Sequence, residues 1–341
     1  MVAPVQGAIP KDWLVLRRVT ATLSPSFSII IPTYNRLPFL KQALKSVWQQ
    51  QNSAFEVIVV DDGSKDGTSE YLSTLGNQVI AITQHRRGPG AARNAGLERS
   101  RGDYVAFLDS DDVWFPWTLT TIASVIERAD SPSYIVGKPF RFNTETDLPS
   151  FSTDPLELKL FKDYFSSGDE WRWWGVSSFV VKTSFLRSCG GFAEENVSGE
   201  DGDLALKLGD APGFTQVISP YTFGYREHPS NLSKDFSKAL EGAWLMVRRE
   251  CANGYPGGSS RATDRRRILT RHIRPVILSC LKTGRWRDAW DLYQATFNWH
   301  LALWRWRFIL GFPILALGAS IRSKTVFERR ETIPDEIYTL W

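Results

Sequence analysis

The sequence predicts an α/β protein with a mostly parallel central sheet flanked by helices. From Phe27 to Ser100, apolar runs rich in β-branched residues and bounded by turn residues alternate with stretches of helical period. Parallel neighbours need crossover connections, so this alternation implies a sheet covered on both faces. Two of the apolar runs end abruptly in carboxylates, at Asp61-Asp62 and at Asp109-Ser-Asp-Asp112. Open α/β sheets bind ligands at the carboxyl ends of their strands, so both clusters are expected on one ligand-binding edge.

Residues 1–26 lack periodicity and contain Pro4, Pro10 and Pro25, so they read as a lead-in with one short helix near Trp13–Val19. Phe27–Ile31 is the first strand, ended by Pro32-Thr-Tyr-Asn-Arg36, and Leu40, Leu44, Val47 and Trp48 then recur at helical spacing. Phe55–Val60 is the second strand, and Asp66-Gly67-Thr68 opens the next helix. Val79–Thr83 is a third strand, and Gly88-Pro89-Gly90 leads into a helix over Ala91–Ser100. Tyr104–Leu108 is a buried strand that delivers Asp109, Asp111 and Asp112 to its end; such anions repel one another unless a cation or hydrogen-bond donors compensate them. Residues 131–170 are a variable stretch closed by Trp171-Arg-Trp-Trp174. Val176–Val181 is expected as a strand, and a helix ends at Gly190-Gly191.

The 341 residues are 43% hydrophobic and 13% aromatic, enough for a large core. Three cysteines without CxxC or Cys/His spacing argue against a disulfide framework and a structural zinc, and the first residues lack a signal-like apolar run. A cytoplasmic protein is expected. The net charge of +4 hides an asymmetry, since residues 261–330 carry 15 Lys and Arg against 4 Asp and Glu. That bias suits an anionic partner or ordinary solvated helix faces. Neither GxxxxGK[ST] nor GxGxxG occurs, so phosphates must be held another way, and a magnesium or manganese ion on Asp111 would serve.

Pro32-Thr-Tyr-Asn-Arg36, Val59-Val-Asp-Asp-Gly-Ser64, Ala92-Arg-Asn-Ala-Gly96 and Phe107-Leu-Asp-Ser-Asp-Asp112, in this order, resemble the nucleotide-sugar-binding half of the family 2 glycosyltransferases of GT-A fold. The resemblance covers about residues 27–230. It implies a nucleotide-sugar donor held by Pro32, Thr33, Tyr34, Asn35, Arg36, Asp61, Asp62, Arg93, Asp109 and Ser110. Asp62 would reach the base, with Asp61 as the second candidate, Asp109 would reach the ribose, and Asp111 would carry Mn2+ or Mg2+. Gly191-Phe-Ala-Glu-Glu195 followed by Gly199-Glu-Asp-Gly-Asp203 resembles the family's GGF(D/E)E and ED motifs, which implies Asp201 as catalytic base with Glu200 beside it. Gly202 departs from the pattern, since an aromatic residue often follows the ED pair. Tyr225-Arg-Glu-His228 resembles a further family segment, in which His228 completes the metal shell or contacts the diphosphate. The residues alone leave other roles open: a turn or helix cap for Asp61, a cap for the helix near Pro116 in the case of Asp112, and a cap of Leu204–Leu208 for Asp203. Trp171, Trp173 and Trp174 are candidates for the acceptor, being either sugar platforms or core anchors.

The division expected is residues 1–26 as lead-in, 27–235 as the catalytic domain and 236–341 as a helical region that associates with a membrane or with a second copy. From Phe308 to Ile321 the chain is uncharged but shorter than the ~20 apolar residues that span a bilayer, and Pro313 interrupts it. Trp304 and Trp306 beside Arg305, Arg307, Arg322 and Lys324 suit either an interfacial element or a packed helix. The function expected is inverting transfer of a sugar from a UDP-sugar to a saccharide or lipid-linked saccharide in polysaccharide or glycoconjugate synthesis. A sugar-1-phosphate nucleotidyltransferase would want a Gly-rich basic loop that residues 27–36 lack. A nucleic-acid-binding protein would show a recognisable motif among its arginines, and none is present, so no nucleic acid is expected.

Overall fold

The computed structural model of the protein describes residues 25–51, 54–149, 154–168, 175–228 and 235–323. The helix expected near Trp13–Val19 and the block containing Trp171, Trp173 and Trp174 lie outside the described residues. The strands and helices β1 (Phe27–Thr33), α1 (Leu37–Trp48), β2 (Phe55–Asp61), α2 (Thr68–Thr74), β3 (Ile80–Thr83), α3 (Pro89–Arg99) and β4 (Tyr104–Phe107) follow one another as the apolar runs predict. They build one parallel half-sheet in the order β3-β2-β1-β4. Its register sets Thr33 beside Asp61 and Ile30 beside Phe107, so the ends of β2 and β4 flank the end of β1. Both carboxylate clusters therefore share one edge.

The remaining elements are β5 (Val113–Trp114), α4 (Thr118–Arg128), β6 (Tyr134–Val136), β7 (Pro139–Phe142), β8 (Glu157–Phe161), β9 (Phe179–Lys182), α5 (Thr183–Ser188), α6 (Glu200–Lys207), β10 (Phe214–Ser219) and β11 (Phe223–Arg226). The large sheet continues from β4 through β9, β6, β10 and β8, with β9 antiparallel to both its neighbours. A second sheet, β5-β11-β7, lies apart from it in pairing. The strand expected over Val176–Val181 starts only at Phe179; Val176–Ser178 forms a tight 3-10 turn, which releases Ser177 to bond sideways toward the site.

Alternation sends Ile30, Ile58, Val60, Val105 and Phe107 into one core, and Ile29, Ile31, Val57, Val59 and Ala106 into another on the opposite face. The C-terminal helices α7 (Phe236–Cys251), α8 (Ala262–Lys282), α9 (Trp286–Ala302) and α10 (Trp306–Ser323) extend the first core through Leu240, Val247, Ile268, Ile273, Leu292 and Phe312. Apolar packing is thus continuous from the large sheet into residues 236–323.

Polar anchors fasten α7 to the same body. Asp203 caps no helix: it is fully buried, and its carboxylate accepts hydrogen bonds from Arg249 at 2.6 Å and the Tyr255 hydroxyl at 2.8 Å. Gly242 lets α7 touch the loop before α6, because a Cβ there would lie 1.8 Å from the Ser198 carbonyl oxygen. Gly242→Ala is therefore expected to lower stability by about 1–3 kcal/mol, the usual cost of overpacking against a backbone atom. A lower midpoint in chemical denaturation checks it, and an unchanged midpoint would contradict the close approach.

Candidate active site

The loop after β1 is built by Asn35, which adopts a left-handed conformation at φ 50°. Its amide donates to the Ser64 hydroxyl at 2.9 Å, and its side-chain oxygen accepts from the Lys65 amide at 2.7 Å. The Leu37 amide donates to Asp66 at 2.8 Å. The loop holding Thr33, Tyr34 and Arg36 is in this way pinned to the loop holding Asp61 and Asp62. Tyr34 carries the Arg86 guanidinium 4.1 Å above its ring.

The two adjacent carboxylates are used differently. Asp62 accepts from the Gln84 side chain and from the Arg87 and Gly88 amides, all at 2.8 Å, so it clamps the loop between β3 and α3. Asp61 is buried; one of its oxygens accepts from the Ser64 amide at 2.9 Å, and Oδ2 has no hydrogen-bond partner. A buried acceptor left open is costly unless something donates to it, so Asp61 is the better placed of the pair to receive a ligand donor.

At the end of β4 the aspartates take three separate environments. Asp109 is the most exposed, and its carboxylate meets Arg93 at 2.6 Å. Arg93 is buried on α3 and reaches Glu200 at 3.0 Å with its other terminal nitrogen, while its guanidinium lies over the Phe192 ring. Burial works against the charged guanidinium, but the two carboxylates more than compensate and raise its pKa. One side chain therefore joins the edge of the sheet to the first residue of α6. The neighbouring Asn94 fixes the loop before α6: its side chain donates to the Phe192 carbonyl at 3.1 Å and accepts from the Phe192 amide at 2.9 Å.

Asp111 meets His228 Nε2 at 2.8 Å through Oδ2, the oxygen that Arg36 also contacts. Burial would raise its carboxyl, yet the His228 hydrogen bond and the Arg36 charge outweigh it and hold the group below the usual carboxylate range. Asp112 is a clasp and not a helix cap. The helix that follows starts at Thr118 with no side-chain cap, and Asp112 instead accepts from Ser177 Oγ at 2.6 Å and from the Arg226 amide at 3.0 Å. Burial, reinforced by the charges of Asp111 and Asp109, pushes its carboxyl well above the ordinary value. Ser177 also receives the Asp109 amide at 3.0 Å, and Arg226 Nε donates to the Asp111 carbonyl at 2.9 Å. Ser177 and Arg226 had no distinguishing pattern in the sequence, although Arg226 lies inside the Tyr225–His228 segment. Ser110 is buried between these groups, and Pro32 and Thr33 end β1 beneath them.

Glu200 and Asp201 open α6. Asp201 is half-buried and its Oδ1 accepts from the Gly202 amide at 2.8 Å. Its charge adds to burial in raising the phenol pKa of Tyr134 and of Tyr164. The glycine after the pair has a packing reason. A Cβ on Gly202 would lie 3.5 Å from Met246 Sδ and 3.9 Å from His272, so helices α7 and α8 fill the space an aromatic side chain would take. Burial drives the His272 imidazole down to about 3, so it is neutral there. Among the described residues no three His, Cys, Asp or Glu side chains converge as a metal cage. Asp111 and His228 are the pair close enough for one cation to touch both.

A parallel half-sheet with two carboxylate clusters on one edge, extended by an antiparallel strand, is the architecture of the GT-A glycosyltransferases. The model of glycosyl transferase family 2 matches residues 28–188. An uncharacterized glycosyltransferase of Haemophilus influenzae is 30% identical over 199 residues, which cover 58% of this chain and 67% of that one. One from Nostoc is 40% identical over 107 residues, covering 30% of this chain and 33% of its own. The chain thus spans two thirds of the first relative and about a third of the second. Residues 1–349 of S. aureus TarS share the fold with a TM-score of 0.66 at 22% identity, covering 87% of this chain and 88% of that one. The same TarS segment in complex with UDP-GlcNAc superposes with a TM-score of 0.64 at 20% identity. The chain belongs to glycosyltransferase family 2.

Proposed function

We propose that the protein transfers a sugar, with inversion, from a UDP-sugar to a hydroxyl of a saccharide or lipid-linked saccharide in polysaccharide or glycoconjugate synthesis. The observation that carries this reading is Arg93, which ties the Asp109 end of the nucleotide edge to Glu200, the neighbour of the base Asp201. The residue assigned to the ribose and the neighbour of the base are thereby joined by one buried side chain. The TarS complex with UDP-GlcNAc supports the choice of nucleotide through a shared fold.

In this reading the open oxygen of Asp61 accepts a donor from the base, the loop Pro32-Thr33-Tyr34-Asn35-Arg36 borders it, and Asp62 acts indirectly by setting the loop at Arg87 and Gly88. Asp109 takes the ribose, with Ser110 and Arg93 behind it. Asp111 and His228 would hold Mn2+ or Mg2+, hard cations suited to a carboxylate oxygen. When bound, that ion offsets the charge of the departing diphosphate. Asp201 takes the acceptor proton while the acceptor oxygen bonds to the anomeric carbon. The bond from that carbon to the diphosphate oxygen breaks in the same step, and its electron pair leaves with the diphosphate. Arg36, which contacts the same Asp111 oxygen as His228, would give the diphosphate a positive partner.

Nucleotide release from a panel of UDP-, GDP- and dTDP-sugars with Mn2+, with and without EDTA, tests the proposal. Release is expected from a UDP-sugar, lost with EDTA, and at least about a hundredfold slower in Asp111→Ala, given that even outer ligand-supporting residues cost 10- to 100-fold. Release that ignores EDTA and survives Asp111→Ala would sink it.

A further inference from the structure

The two faces of α10 have different fates. Phe308, Ile309, Phe312 and Ala316 are buried against α9, where Phe312 stacks on Tyr293 at 4.3 Å and the Tyr293 hydroxyl donates to the Ile309 carbonyl at 2.9 Å. The helix is therefore fixed to the body. Its other face carries Trp306, Leu310, Ile314 and Leu317, one or two turns apart on a single side, with Leu310 65% and Ile314 72% exposed. Trp304, 76% exposed, extends this strip at the N-terminal end. Gly311 and Gly318 have no heavy atom within 4 Å of where a Cβ would sit, so nothing among the described residues covers the strip there. A continuous apolar face of this kind on a soluble surface marks a contact site.

Charge decides the occupant. Residues 292–327 contain no Asp or Glu, while Arg305, Arg307, Arg322 and Lys324 lie among them. A second copy docked through the same strip would bring the exposed Arg307 of each copy to the contact with no acid on either helix to pair it. An anionic lipid headgroup layer would neutralise the cations while its acyl boundary covers the leucines and isoleucine, and tryptophans settle at such an interface. No described helix is long and apolar enough to cross a membrane, so a bilayer contact of this element would be interfacial. We propose that the exposed face of α10 docks the protein on an anionic membrane surface. The inference is independent of the donor and of the catalytic residues.

The test is sedimentation of the full chain with vesicles of phosphatidylcholine alone and with about one third phosphatidylglycerol, at low and high salt. The full chain is expected to sediment with the anionic vesicles and to lose binding as salt rises. Leu310→Glu/Ile314→Glu should reduce partitioning roughly 100-fold, and Arg307→Gln about fivefold, with thermal unfolding unchanged because Leu310, Ile314 and Arg307 are exposed. Three results would each overturn the proposal: no sedimentation of the wild type, equal sedimentation of Leu310→Glu/Ile314→Glu, or a dimer in ultracentrifugation that this variant converts to a monomer while the wild type ignores vesicles.

Discussion

Arg93→Ala is expected to cost about 3–5 kcal/mol of stability, because it leaves the buried Glu200 carboxylate without its counter-charge. The loss of packing on Phe192 adds to this. Sugar transfer, measured where the variant remains folded, should fall at least about a hundredfold, since Asp109 and Glu200 lose their common anchor and misplacement of this order is costly. Two further variants separate the structural and functional parts. Arg93→Lys keeps a charge but cannot fork to both carboxylates, so it should regain part of the stability and little of the rate. Arg93→Met with Glu200→Gln removes the buried charges together; its denaturation midpoint should recover toward wild type while transfer stays low. Wild-type stability in Arg93→Ala, or full activity in the double variant, would show that the bridge positions nothing.

The same bridge shows what can be read from a sequence of this kind. The strands β1, β2 and β4 are uninterrupted apolar runs, each ended by a polar break, so their order and the shared edge of Asp61 and Asp109 follow from pattern and crossover geometry alone. Strands β6, β7 and β8 are 3 to 5 residues long and lie among prolines, serines and acids, which leaves no periodicity to detect in residues 131–170. Partners distant in the chain were equally hidden. Asp112 looks like a helix cap when only its neighbours are considered, and its true partners Ser177 and Arg226 lie 65 and 114 residues away. Asp203 is similar: Arg249 and Tyr255 belong to a helical region that periodicity alone treats as separate. The preference for Asp62 over Asp61 is reversed for the same reason, because which of them is satisfied depends on the loop at Gln84–Gly88 folding back over β2. Of the two readings of residues 301–322, the packed helix describes the face of α10 that carries Phe308 and Phe312, while the opposite face is apolar and exposed.

Asp201→Asn is expected to reduce sugar transfer by about 10²- to 10⁴-fold, the range that a positioned base contributes. The substitution keeps the size of the side chain and an oxygen able to accept from the Gly202 amide, so the start of α6 should stay in place. It leaves Arg93, Glu200, Asp111 and His228 untouched, and UDP-sugar affinity measured by calorimetry should remain within a few-fold of wild type. Loss of rate without loss of donor binding is the signature of a group used in the transition state and not in the ground state. Glu200→Gln should behave differently: it weakens the partner of Arg93 and so lowers both stability and rate. A rate for Asp201→Asn within a few-fold of wild type would remove it as the base. Equal losses of donor affinity and rate would assign it to binding, and the proton acceptor would then have to be sought on another element that borders the Asp109–Arg93–Glu200 bridge.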